Sequence, residues 1–346
     1  MTRLRWSHGF TVAALTSVTA LAGAALLAAP AAADTPPITG CTSCTATYNS
    51  AGESATFVVP TKIKTLTVTV SGAAGGTVPE ALTSLPDPVG GSGGVTTVNL
   101  GTAYAGQTLL LGVGHVGQGS FIQTTSLLLA VAGGGGSNGY AGYLDDAPPQ
   151  VFATYLGGAG GSPAGPGIAP GADGTAFPGT PVGQDANGLG GTATGGAGGT
   201  GDDPGSDGGA AMLLNPAGST LAPGGAGGSY TDPATNVTHV GGAGGTGYTG
   251  GGGGAVATAV PAGDFPVGLV APGGGGSGYL DASLTATAGT PNTGAASIVF
   301  HWTVTPAVLP STGAPDPTVP FELGALLMIA GAATVISVRR RRSARG

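Results

Sequence analysis

Charged side chains are scarce in this chain: Asp, Glu, Lys and Arg make up 7% of its 346 residues, against roughly a quarter in an ordinary soluble domain. Cations are the scarcest of all. Seven of the nine sit near the termini, as Arg3, Arg5, Arg339 to Arg342 and Arg345, which leaves Lys62 and Lys64 to face fourteen acids between residues 34 and 312. That interval carries a net charge of −12, which repels phosphate backbones and excludes nucleic acid as a partner. No Lys follows a Gly-rich segment, so a Walker loop is excluded too. Glutamate is limited to Glu53 and Glu80 in that interval, and paired-carboxylate hydrolysis therefore has no support. Cysteine is limited to Cys41 and Cys44, and no nearby His or Cys completes a zinc site. Asp202, Asp203 and Asp207 could offer hard oxygens to Ca²⁺, but the nonapeptide calcium repeat is missing, and a solvated turn is the reading adopted. No catalytic residue, metal or cofactor is expected, and the chain is not expected to be an enzyme.

The two ends carry the clearest signals. A positive start at Met1 to Arg5, an apolar stretch from Phe10 to Ala29 and the exit Ala31-Ala-Ala33 are the three parts of a secretory signal peptide, with cleavage expected after Ala33. An N-terminal membrane helix is the competing reading, disfavoured by Pro30 and the polar residues after Ala33. Ile38-Thr-Gly-Cys41 has lipobox character but stands apart from the apolar run. In an exported chain, Cys41 and Cys44 are expected to form a small local disulfide. A redox C-x-x-C would need a strand before it and a helix behind it.

At the other end, Leu309-Pro310-Ser311-Thr312-Gly313 is followed by a membrane segment at 321–338, apolar from Leu323 to Val338, and then by Arg339, Arg340, Arg341 and Arg342. The sixteen apolar residues span about 24 Å at helical rise, slightly short of the roughly 30 Å hydrocarbon core. Each Arg costs roughly 2.5 to 3.5 kcal/mol at mid-bilayer, so the cluster should stop export and stay in the cytoplasm at 339–346. This order resembles the tail of LPXTG wall-anchored proteins of Gram-positive bacteria. The resemblance implies that a sortase cuts between Thr312 and Gly313 and joins the Thr312 carboxyl to peptidoglycan, so that the membrane is met only by the precursor. The competing reading is a chance pentapeptide ahead of an ordinary anchor.

Between the ends, helical periodicity is lacking and short strands are expected. The clearest is Ile63 to Val70, with Leu66, Val68 and Val70 on one face and Thr65, Thr67 and Thr69 on the other. Others are expected at 54–60, 95–100, 108–113, 126–132, 151–155, 255–260, 267–271 and 297–304, the last with Ile298, Phe300, Trp302 and Val304 on one face and His301 facing solvent. Many short strands with Gly and Pro punctuation indicate an all-β sandwich or barrel. Residues 34–47 are expected to be a flexible segment, 48–304 the β domain and 305–320 a Pro-rich linker holding the pentapeptide.

The chain has 72 glycines, 49 of them among the 148 residues from Gly133 to Leu280. Gly-Gly-Ala-Gly-Gly-Ser or -Thr begins at Gly157, Gly195, Gly224 and Gly241, without a fixed interval but with a local period of three. Period three fits the extended left-handed helix with three residues per turn. A floppy linker is the alternative, since Gly has the most freedom to lose on ordering, but the interspersed Tyr, Leu, Val and Ala favour order. In such a chain, the G-x-S-x-G matches at Gly90 to Gly94 and Gly135 to Gly139 are expected by chance.

Phe57-Val-Val-Pro60, Leu66 through Gly76 and Leu128 through Gly136, with the closing strand, resemble bacterial and phage glycine-rich domains. They are also similar to the glycine-rich domain of the anaplastic lymphoma kinase receptor family. The resemblance covers roughly 48 to 304 and implies a jelly-roll-like β-sandwich carrying a bundle of polyglycine helices. The function expected is a structural or adhesive surface protein whose partners are sortase and peptidoglycan, with a short-range glycan or protein ligand left open. A passive envelope component and a polymer hydrolase are the alternatives, and a pilin role is disfavoured because neither Lys62 nor Lys64 lies in a Tyr-Pro-Lys context.

Overall fold

The computed structural model describes residues 42–77, 90–143, 150–175, 196–197, 206–210, 221–231, 236, 238–259 and 267–304. The expected signal peptide with Ala31 and Ala33, Cys41, Leu309 to Gly313, the segment 321–338 and Arg339 to Arg342 lie outside them, as do Glu80, Asp202 and Asp203.

The described chain is all-β, with no helix among the described residues. In chain order its strands are β1 (Ser43–Tyr48), β2 (Ser54–Val58), β3 (Ile63–Ser71), β4 (Val95–Asn99), β5 (Thr108–Gly112) and β6 (Ser120–Gln123). They continue with β7 (Leu128–Ala132), β8 (Gly139–Tyr143), β9 (Gln150–Tyr155), β10 (Gly167–Ala169), β11 (Ser229–Thr231) and β12 (Thr238–Val240). The last five are β13 (Val256–Ala259), β14 (Val267–Val270), β15 (Gly278–Leu280), β16 (Thr285–Ala288) and β17 (Ser297–Val304).

Two larger sheets run β1-β17-β3-β4-β16 and β10-β15-β7-β6-β5-β2. Smaller sheets are formed by β13-β14-β8-β9 and by the pair β11-β12. Neighbouring strands in both larger sheets run antiparallel, and β17 carries partners on both sides from Ile298 to Thr303. Alternation explains β3 and β17: Leu66, Val68, Val70, Ile298, Phe300 and Trp302 are all buried, while Thr67, Thr69, Val299 and His301 between them point the other way.

Those residues share one hydrophobic cluster with Phe57, Leu109, Leu111, Ile122 and Leu129 of the six-stranded sheet. Phe57 and Phe300 join the two sheets directly, stacked with ring centroids 4.1 Å apart and planes 18° from parallel. Tyr48 meets Phe300 edge-on at 6.1 Å. An aromatic contact of this kind contributes roughly 0.5 to 1.5 kcal/mol beyond the area it buries.

One boundary expected from sequence is corrected. Ser43 to Thr47 belong to β1, paired with β17 from Ser43↔Thr303 to Tyr48↔Ile298, so they are not part of a flexible segment. Ser-Cys-Thr-Ala-Thr-Tyr looks polar because its inward positions are Cys44, Ala46 and Tyr48, two of them small. The strand is held by its ladder with β17 and by the burial of Cys44 and Tyr48.

Candidate functional site

Glycine segments from distant parts of the chain run side by side and bond to one another through their backbones. Residues 133–138 show the rule. Gly133 N donates to Gly161 O at 3.1 Å and Gly136 N to Gly158 O at 2.8 Å, so positions three apart address the same neighbour. Gly134 and Ser137 likewise donate to Thr246 O and Ala243 O, each at 2.8 Å. Gly135 and Asn138 donate to Ala73 O and Gly76 O at 3.0 and 3.3 Å. The carbonyls of Gly133 and Gly136 accept from Gly94 N and Gly91 N, and those of Gly134 and Ser137 from Gly276 N and Gly273 N. One strip of backbone thus bonds five others, a geometry unavailable to a strand, which has two edges.

The same period governs 271–277. Ala271, Gly274 and Ser277 donate to Ala255, Gly252 and Thr249, while Gly273 and Gly276 donate to Ser137 and Gly134. Only glycine permits this spacing, because a Cβ on Gly133 would overlap the Gly276 carbonyl.

Sequence and position correspond closely. The runs of four glycines at 133–136, 251–254 and 273–276 are buried throughout. Gly-Gly-Ala segments lie further out, with Ala226 and Ala243 exposed and Ala159 half-buried. Gly90 to Gly94, one of the G-x-S-x-G matches, is a bonding partner of 133–138, and Ser92 O accepts from Gly160 N.

A few polar side chains are buried among these segments. His239, to which sequence assigned no role, is fully buried, with Nδ1 3.1 Å from the Tyr140 hydroxyl. Thr249 and Ser277 hydroxyls lie 2.6 Å apart. Tyr248 and Tyr279 stack at 4.6 Å against Phe121, Leu128 and Val131 on the outer side of the six-stranded sheet. Among the described residues no three His, Cys, Asp or Glu converge on a common point, and no helix is long and apolar enough to cross a membrane. Cys44 is disulfide-bonded, and Cys41 is the other cysteine in the sequence.

The outward face of the five-stranded sheet is a second regular surface. Across the strands Thr45, His301, Thr67, Asn99 and Thr285 form one row. Thr47, Val299, Thr69, Thr97 and Thr287 form the next. A shorter row of Ser43, Thr303 and Thr65 lies towards the end of β17. None of these positions is buried. Neighbouring side chains bond to one another: Thr65 to Thr303 at 2.7 Å, Thr69 to Thr97 at 2.9 Å, and Thr45 to His301 Nδ1 at 3.0 Å. Sequence reasoning identified the Thr face of β3 and the outward His301, but not the rows, which need the pairing of β1 and β16.

No family model matches this chain, and no curated protein matches it in sequence.

Proposed function

We propose that this is an exported bacterial surface protein, freed of its leader after Ala33 and joined to peptidoglycan by a sortase through Thr312. The single observation carrying this is the order of the tail: Leu309 to Gly313, then an apolar run, then Arg339 to Arg342. Physically, that order holds a cleavable pentapeptide just outside the membrane.

The part displayed is a β-domain in which two sheets form a jelly-roll-like sandwich and the glycine segments form a polyglycine-II-like bundle. The shared core of both sheets and the threefold bonding of 133–138 support this reading. Its role is structural or adhesive, not catalytic. The backbone bundle gives a stiff, weakly charged body to a chain with few charges to spend on its surface.

Mass spectrometry of protein released from the wall by muramidase tests the anchoring. The expected product begins at Asp34 and ends at Thr312 with a murein fragment attached. Recovery of the full-length chain in detergent alone, with its arginines intact, would overturn the proposal in favour of a plain membrane protein.

A further inference from the structure

We infer that the outward face of the five-stranded sheet is a contact surface for the glycan strands of peptidoglycan, an inference that rests on the anchoring proposed above. Charge suits this face. A chain carrying −12 between residues 34 and 312 is repelled by an anionic wall, and it approaches most easily on a face without carboxylates. The three cross-strand rows contain none. The acid nearest these strands in sequence among the described residues, Asp281, lies four positions before Thr285 and is bonded to Ser283 N at 2.9 Å within its own turn.

The two cations sit beside the same face. Lys62 and Lys64, the only lysines in the chain, are exposed at the start of β3. There the ladder is irregular between Thr303 and Val304, and Ile63 pairs with Val304. Both lysines therefore flank the end of β17, where the chain leaves for the sorting motif. They can meet the carboxylates of the stem peptides while the hydroxyl rows meet the sugars.

The tether keeps this face close to the wall. Eight residues separate Val304 from the Thr312 carboxyl, which at about 3.6 Å each limits the reach to roughly 30 Å. A short tether sets an effective ligand concentration in the millimolar range. The face has no Phe, Tyr or Trp ring on which a sugar could stack, so its intrinsic affinity is low, and a millimolar concentration is what such a surface needs to stay occupied. Hydroxyls recur at about 4.8 Å across the strands and at about twice the 3.3 Å rise along them, and they match a neutral polymer of hydroxyl and acetamido groups.

The test is co-sedimentation of the full-length purified protein, in non-ionic detergent, with excess purified sacculi and, separately, with chitin as the neutral glycan. Wild type is expected to sediment with both. Thr47→Glu/Thr287→Glu, two exposed positions at opposite margins of one row, should lower binding to both about tenfold, a difference of roughly 1.4 kcal/mol. Thr125→Glu/Ser229→Glu adds the same charge at two exposed positions outside the five-stranded sheet and should leave binding unchanged. Lys62→Gln/Lys64→Gln should weaken binding to sacculi and spare chitin. Matching melting temperatures establish that each variant is folded.

Wild type remaining in the supernatant, face and control variants behaving alike, or lysine variants failing equally on chitin would overturn the inference. Thr312→Ala separates the two claims: it should abolish wall linkage in cells yet leave sedimentation of the purified protein untouched.

Discussion

A single methyl group distinguishes the glycines that the fold requires from those it merely tolerates. Gly133 is buried, and its Cβ would overlap the Gly276 carbonyl, a backbone atom that cannot move without breaking the bond from Gly161 N. Overpacking of a tight interior costs typically 1 to 3 kcal/mol, and here it also threatens hydrogen bonds to neighbouring segments. Gly165 is exposed, has no left-handed φ, and has no neighbour within 4 Å of the point where an alanine methyl would sit. Gly133→Ala is therefore expected to lower stability by about 2 kcal/mol or more, whereas Gly165→Ala should raise it by about 0.4 to 1 kcal/mol through loss of unfolded-state freedom. Urea midpoints of the two variants check this. Equal effects would mean that the close approach of 133–138 to 271–277 does not form in solution.

At the level of elements, the glycine segments should behave as secondary structure although they are neither helix nor strand. Amides from Gly133 to Asn138 are each bonded to another segment, and exchange with solvent requires an opening that breaks such bonds. Hydrogen exchange is expected to find them protected to within about tenfold of the β17 amides, whereas a floppy linker would exchange fully within the shortest labelling time. The strands that sequence revealed are those with alternation or a long apolar run, such as β3, β5 and β17. Those it hid had weaker patterns. β6 is four residues buried without alternation, β15 is Gly-Tyr-Leu, and β16 is Thr-Ala-Thr-Ala, whose place comes only from its ladder with β4. Period three in the glycines was legible, but which segments neighbour one another was not, because glycine has no side chain to specify a partner. The contrast between Gly-Gly-Gly-Gly inside and Gly-Gly-Ala outside is written in the sequence, yet it acquires meaning only once the packing shows which positions have no room for a methyl.

At the scale of the whole molecule, four tyrosines set an alkaline limit on stability. Burial raises the hydroxyl of Tyr48 above its ordinary value, with the Glu53 carboxylate adding to the effect. Burial also raises Tyr104, Tyr155 and Tyr279. Asp281 adds to the shifts of Tyr104 and Tyr279, and a Ser283 hydrogen bond partly opposes that of Tyr104. Each holds its proton more tightly folded than unfolded, so above the ordinary value of about 10 the unfolded chain loses protons first. Their contribution is complete below that pH and is lost as pH climbs through the higher folded values. Alkali also leaves the acidic chain still more negative, and that repulsion is long-ranged. The two causes separate by salt and by substitution. About 0.5 M salt shortens the screening length to a few ångströms and suppresses the repulsion, while the tyrosine effect, set mainly by burial, persists. The urea midpoint is expected to fall between about pH 9.5 and 11.5 in high salt. Tyr48→Phe/Tyr104→Phe should flatten that fall, since phenylalanine has no proton to lose. A midpoint independent of pH over this range, or a fall that salt abolishes, would show that the tyrosines are as free to ionise in the folded chain as in the unfolded one.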